Sequence, residues 1–377
     1  MINIDKTERS AAQLQIVFER IKEMRVEKKV IAHLDKCYAA SEITVEGKRC
    51  FLAAAEKVGP CYLFSEDGDC LEKIWDEPGG VMTMEPVPGT DAQFLATHKF
   101  YGPNNSAEAK IVIVTRRGKD DWNVRTLCEA PFVHRFGIFH RAGVNYLLVC
   151  CLKSGHSYDG DWRYPGACYA AELPADLSAF GDGNLLSLTL VQDNLLRNHG
   201  FSKTVWGGHE AAVVGCEQGT FLMEPPRVRG DEWTVTNLLP VPSSDSVLID
   251  LDGDGKPELG LLSPFHGSSL TIWHLDEYDN YVPQWKYSVP EKETKMLHAT
   301  WADTILGKPT WLVGWRQGSR CAIAITWDAE AGNYRTEYFD TAAGMANAMH
   351  FVRSDGRDIV IGTNREIDEL AYYEFSE

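Results

Sequence analysis

Several things are missing from this chain of 377 residues, and each absence excludes something. No window approaches eighteen apolar residues, so no membrane-spanning helix is expected. Basic residues are scarce: 37 Lys and Arg stand against 54 Asp and Glu, a net charge of −17, with no Lys/Arg run longer than two. A polyphosphate backbone or an anionic membrane surface needs the opposite balance, so neither is expected as a partner. Ten cysteines are present, but none form a C-x-x-C pair, and close thiolate pairs are what a cysteine zinc site would need. Most lie in apolar runs such as CFLAAAE and LLVCCLK, which reads as buried thiols in a reducing cytoplasm. The N-terminus, MINIDKTERSAAQLQ, lacks a basic segment followed by an apolar one, so a secretory signal is not expected and the chain is read as cytoplasmic. Also absent are the G-x-S-x-G elbow, the phosphate-binding loop, G-x-G-x-x-G and H-E-x-x-H.

What the chain has is repetition. Short β-rich runs alternate with turns, and they group into quartets at roughly 45–65 residues, near the period of propeller repeats. The segment from Ser246 to Val289 shows one: SVLIDLDGDGK, PELGLLSPF, SLTIWHLD, YVPQWKYSV. Six such quartets are followed by a C-terminal trio, MHFVRSDG, DIVIGTN and LAYYEFS. An open sheet edge invites mispairing. The strand-like segment RVEKKVIAHL, residues 25–34, is therefore expected to supply the missing outer strand. The fold expected is all-β: a seven-bladed β-propeller over residues 25–377, closed by its N-terminal strand, with a short helix within an extension over residues 1–24.

Propeller topology sorts residues by face. The first strand of each blade starts near the axis on one face, and the second strand returns to that face. His134, His199, His298 and His350 open or nearly open first strands; His98, His156 and His266 lie at or beyond the ends of second strands. Arg135, Arg316, Arg365 and Lys57 map to the same face. The expectation is a funnel of imidazoles in which His134, His199, His298 and His350 hold a zinc, manganese or iron ion.

A second constellation is the loop Asp250-Leu251-Asp252-Gly253-Asp254-Gly255-Lys256-Pro257-Glu258. Carboxylates at positions 1, 3, 5 and 9, the carbonyl of Lys256 at 7 and a glycine at 6 suit Ca²⁺. This loop joins first and second strands, so it belongs on the face opposite the funnel and reads as structural. The corresponding turns HRAGVN, LGKP and RSDGRD have few carboxylates.

The calcium-type hairpin resembles the FG-GAP/VCBS propeller repeat. The run of VHRFGIF, VNYLLVCCLKSG, NHGF, HEAAVVGCEQG, LGLLSPFHGSSLTIW and TWLVGWRQG resembles the propeller domain of aldos-2-ulose dehydratase-like proteins over roughly residues 25–377. That resemblance implies dehydration of oxidised sugars with a bound metal, carried here by His134, Arg135, His199 and His266. The cupin domains of the larger fungal enzyme have no counterpart. Some polysaccharide lyases, oligogalacturonate lyase among them, share the architecture alone. The activity expected is metal-assisted β-elimination on an oxidised sugar or uronate-type saccharide. A funnel His acts as base, with Tyr158 or Tyr164 as alternatives, and Arg135 or Arg316 steadies a carboxylate or enolate. The alternative is a non-enzymatic, calcium-stabilised propeller that binds a glycan or a protein. The insertion GHSYDGDWRYPG, residues 155–166, is placed at the funnel rim, where it either stacks on a sugar ring or packs its own aromatics.

Overall fold

The computed structural model describes residues 24–289 and 295–377. The expected N-terminal helix lies outside the described residues. Strands are numbered β1 to β28 in chain order, and they form seven four-stranded sheets. In six sheets the four strands follow one another in sequence; in the seventh the order is β1-β28-β27-β26. The chain is thus a seven-bladed β-propeller of antiparallel blades. One turn of 3-10 helix, Arg365–Ile367, is the only helical element among the described residues, and no helix there is long and apolar enough to cross a membrane.

The burial pattern explains the sequence. Second strands are sandwiched between neighbouring blades, so they read as continuous apolar runs: β11 (Val144–Lys153) is buried over eight consecutive residues, Tyr146 to Lys153. Outer strands such as β21 (Tyr281–Ser288) are mostly exposed or half-buried. Each apolar cluster joins two neighbouring blades. Between blades five and six, Val247, Leu262 and Ile272 pack against Trp311, Val313 and Trp315. Gly260 is needed there, because a Cβ would come within 2.9 Å of the Trp311 ring and of Val247. No disulfide links the cysteines; nine are buried and Cys70 is exposed.

Closure is made by β1 (Arg25–His33), which pairs antiparallel with β28 (Glu369–Ser376) from Arg25↔Ser376 to His33↔Glu369. Lys28 adds ion pairs to Asp340 at 2.9 Å and Glu369 at 3.0 Å. The first strands that surround the axis include β2 (Cys37–Val45), β10 (Val133–Arg141), β14 (Gly200–Trp206), β18 (Asp245–Ile249), β22 (Leu297–Ile305) and β26 (Asn347–Val352). Their N-terminal ends share one face and build the funnel.

Candidate functional site

Three imidazoles converge in the funnel. His199 precedes β14, His298 is the second residue of β22, and His266 lies between β19 (Glu258–Leu262) and β20 (Ser269–Leu275). Ring nitrogens of the three lie within 4.8 Å of one another. The Nε2 atoms of His199 and His266 are 3.1 Å apart, and the His266 and His298 rings stack at 5.1 Å with only 8° between planes. His266 has a φ of 59°, a left-handed conformation uncommon outside glycine, and this turns its ring toward the other two.

Neighbouring oxygens set the tautomers. His298 Nδ1 donates to the carbonyl of Ala346 at 2.7 Å. His199 Nδ1 donates to the carbonyl of Ser244 at 3.0 Å and lies 3.1 Å from the Asp245 carboxylate. A carbonyl can only accept, so the proton sits on Nδ1 and the Nε2 lone pair is left for another partner. For His199 and His298, a carbonyl or carboxylate behind the ring is the kind of outer shell that orients metal-bound histidines. His199 and His298 are each 2% exposed. Burial, then the positive charge of Arg316 and interaction with the other imidazoles, holds His298 well below the usual histidine range; burial, His199 and Arg316 do the same to His266. Both rings are therefore neutral, the form that ligates.

His134, second in β10, packs against His199 with ring centroids 4.4 Å apart and planes tilted by 36°. It too is held well below the usual range, by burial and then by His199 and Arg135, and its buried Nδ1 has no hydrogen-bond partner among the described residues. Its nitrogens are not in the three-histidine group. Arg135 donates to the Met82 carbonyl at 2.8 Å and the Asn347 side chain at 2.9 Å. Arg316 is paired with Glu366 at 2.7 Å.

Two of the predicted site residues lie elsewhere. His350 is not in the funnel. β26 begins at Asn347, so the strand-opening position belongs to that asparagine, and His350 lies three residues down the blade. There its two nitrogens meet Asp303 and Asp358, each at 2.9 Å. Burial opposes its charge, but the two carboxylates outweigh burial and raise its pKa. A raised folded pKa means stability that is complete below the unfolded value, about 6.5, and is lost as pH rises through the folded value. His350→Gln is therefore expected to lower the melting temperature by several degrees at pH 5.5 and by less at pH 9, as followed by circular dichroism.

Tyr158 is the other. It is 60% exposed and stacks under Arg163, while Tyr164 bonds to Ser157 at 2.7 Å. The residue of that insertion that reaches the funnel is Trp162, whose ring meets Phe265 at 5.2 Å, and Phe265 meets His199 at 5.4 Å.

Three site residues are absent from the sequence reading. Tyr38, second in β2, donates its hydroxyl toward His298 Nε2 at 3.2 Å. Its register matches that of His134 and His298, a signal that a search confined to histidines passes over. Asp245 opens β18 in the same ring of positions. Arg197 precedes His199 by two residues and lies over both Trp162 and Phe265.

The acidic loop occupies the far end of β18. Oxygens of Asp250, Asp252, Asp254 and Glu258 lie within 4.8 Å of one another. Backbone amides orient all four: Gly253 and Gly255 donate to Asp250, Asp254 to Asp252, Lys256 to Asp254 and Leu251 to Glu258. Burial and the charges of Asp252 and Asp250 push Glu258 up to about 7. His274 of β20, unforeseen from sequence, brings Nδ1 to 3.7 Å from Asp252 and 3.9 Å from Glu258.

No family model matches the chain, and no curated protein matches it. The resemblance to aldos-2-ulose dehydratase-like propellers therefore rests on the short blade motifs alone. Among solved structures the chain is similar to the periplasmic gluconolactonase PpgL of Pseudomonas aeruginosa, at 11% identity over 89% of this chain and 91% of that one, with a TM-score of 0.56. It is similar to a streptogramin B lyase at 13% identity over 94% and 98%, with a TM-score of 0.53. The soluble aldose sugar dehydrogenase of Escherichia coli matches at 11% identity over 93% and 99%, with a TM-score of 0.48. The likeness to the gluconolactonase and the streptogramin B lyase agrees with the β-propeller fold and, at these identities, says nothing of the chemistry.

Proposed function

We propose that the funnel is the active site of a metal-assisted carbon–oxygen lyase acting on an oxidised sugar or uronate-type saccharide. The observation that carries this reading is the convergence of three buried or half-buried imidazoles, two of them oriented from behind: His298 by the Ala346 carbonyl, and His199 by the Ser244 carbonyl and the Asp245 carboxylate. His199, His266 and His298 would hold a divalent ion of the zinc, manganese or iron type, for which imidazole is a good ligand. Such an ion supplies polarisation of a substrate carbonyl, which acidifies the neighbouring C–H.

The rest is the work of this chain's own side chains. His134, held neutral by burial and by the charges of its neighbours and lying outside the three-ligand group, is the imidazole left to take up the abstracted proton. Arg135, next in sequence, steadies the negative charge that this transfer leaves on the substrate. Tyr38 stays protonated because burial raises its pKa; with an ion on His298 Nε2 its hydroxyl would lose that acceptor and be free to donate to the departing oxygen. Trp162 and Phe265 form an apolar wall at the rim against which a sugar ring stacks. Solved propellers of similar fold are named as a gluconolactonase and as a lyase, which supports an enzymatic reading at the level of fold alone.

Metal analysis of the purified protein, combined with incubation on ketosugars and uronate oligosaccharides, tests the reading. A stoichiometric transition metal and a product absorbing as a conjugated enone or unsaturated acid are expected. Calcium alone, with no product formed, would favour the glycan- or protein-binding alternative.

The loop Asp250–Glu258 is proposed as a structural Ca²⁺ site, with Asp250, Asp252, Asp254, Glu258 and the Lys256 carbonyl as ligands. A cation there relieves the mutual repulsion that raises Glu258. At calcium concentrations about 100-fold above Kd, binding adds about 2.7 kcal/mol, so a rise in melting temperature of roughly 3–4 °C is expected for a domain of this size. Asp250→Ala with Asp254→Ala should abolish the rise.

A further inference from the structure

The funnel arginines are not equivalent. Arg197 is neutralised by Glu217 at 2.7 Å. Arg316 and Arg365 share Glu366, at 2.7 and 2.8 Å, and Arg365 also pairs with Glu56. Arg135 meets no carboxylate among the described residues. Its guanidinium donates one N–H to the Met82 carbonyl and one to the Asn347 amide oxygen, and its face lies 5.5 Å from the Tyr38 ring centre. A guanidinium has five N–H donors, so three remain. The side chain is half-buried, which keeps it within reach of a ligand while stripping part of its water. Its charge is felt by the whole cluster: it is among the groups that hold His134, His266 and His298 in their neutral forms.

Asp245, the acid that opens β18 in this ring, makes no ion pair with Arg135. It accepts the Phe201 amide at 3.2 Å and backs His199 at 3.1 Å. A guanidinium with free donors beside neutral imidazoles is a receptor without its anion, and planar, two-point recognition of a carboxylate is what that fork does best.

We infer that Arg135 is the carboxylate receptor of the funnel and that the substrate is an acid, a sugar acid in place of a neutral oxidised sugar. The inference rests on the funnel being the reaction site and narrows its substrate class. Arg135 is then a specificity-determining residue: it holds the substrate by its charged group and so presents the rest of the molecule to the three histidines and His134. The acidic surface of the protein, net −17, makes this selective. An anion is repelled by that surface and is drawn to Arg135, the funnel arginine that has no carboxylate partner among the described residues.

The test uses two probes that differ by one charge, D-glucuronate and its neutral methyl ester. Each is titrated calorimetrically into the protein as purified and again after treatment with a chelator. The wild-type protein is expected to bind the acid about tenfold or more tighter than the ester. Arg135→Gln should collapse that ratio to near one. Arg135→Lys, which keeps the charge and loses the fork, should fall between. Thermal melts confirm that the variants are folded; if Arg135→Gln does not fold, the lysine variant and the wild-type ratio decide.

An equal affinity for acid and ester in the wild-type protein overturns the inference. So does a ratio that survives Arg135→Gln, or the absence of detectable binding of either probe at millimolar concentration. A purely structural Arg135 would leave the ratio unmoved. Metal content measured on the same samples separates the two readings. A preference for the acid in protein that takes up no metal keeps the receptor and discards the metal-assisted lyase. A metal-loaded protein without the preference does the reverse.

Discussion

Protein carrying His199→Ala is expected to bind no transition metal in the funnel and to turn over no substrate, while its melting temperature falls by only a few degrees. His199 is the centre of the cluster: it touches His266 through Nε2, packs against the tilted His134 ring, and has its ring centre 5.1 Å from that of His298. Its loss removes one of three ligands. The two that remain, one of them on the His266 turn, are too few to compete with water. The electrostatic contribution of such an ion to the transition state is several kcal/mol, so turnover should drop by about 10³-fold or more. Stability is affected much less, because the imidazole packs at the mouth of the channel and anchors no strand pairing. Metal analysis and calorimetric titration read the first effect, and a melting curve reads the second. Retained activity on ketosugars or uronate oligosaccharides would end the metal–histidine mechanism. Asp245→Asn is the graded companion. It weakens the charge behind His199 without removing the ligand, and a loss of about 10–100-fold in metal affinity is expected.

The largest stability effect is expected from removing β1. Deleting the residues through His33 should give a protein that is insoluble or lacks a cooperative unfolding transition. At first sight the strand looks dispensable, since most of its residues are exposed or half-buried. Its role is in the pairing. The ladder runs the length of β28, and each hydrogen bond contributes about 1 kcal/mol net, against a whole-domain stability of about 5–15 kcal/mol. Deletion also exposes the edge of β28, strips Asp340 and Glu369 of Lys28, and opens the seam between first and last blades. A synthetic peptide of Arg25–His33 added during refolding should restore solubility. If the truncated protein remains soluble with an unchanged melting curve, closure by β1 is not what holds the ring.

The architecture was legible because propellers write themselves into sequence as repeats. Seven groups of strands, the closing role of residues 25–34 and the opposite placement of funnel and acidic loop all follow from counting strands and turns. The site was legible only where its residues lay at a repeated register. His134, His199 and His298 were found that way, and so was His266, beyond the end of a second strand. His350 failed the same rule by three residues, because MHFVR looks like LHATW although β26 starts earlier, at Asn347. A strand start is set by where the chain leaves the preceding turn, and that depends on the Ala346 amide bonding to Thr363, which no local pattern records. Asp245 and Tyr38 share the register but are not histidines, so a search for one residue type missed them. His274 had no local signal: it joins the acidic loop only through the pairing of β19 with β20. Nor could the pairing of Arg316 with Glu366, across 50 positions, be read from either segment, and it is this pairing that leaves Arg135 as the unpaired guanidinium.

The strand β18 has a use that its brevity hides. Five residues long, it spans roughly 17 Å at about 3.3 Å per residue. Asp245, at one tip, stands behind His199, and Asp250, just past the other, opens the acidic loop. The two proposed ion positions, on opposite faces, are therefore the terminals of a single strut in the wall of the channel. Fraying of that strut from either end would loosen the other, so an ion seated in the acidic loop acts as a fastener for the imidazole cluster that it never touches.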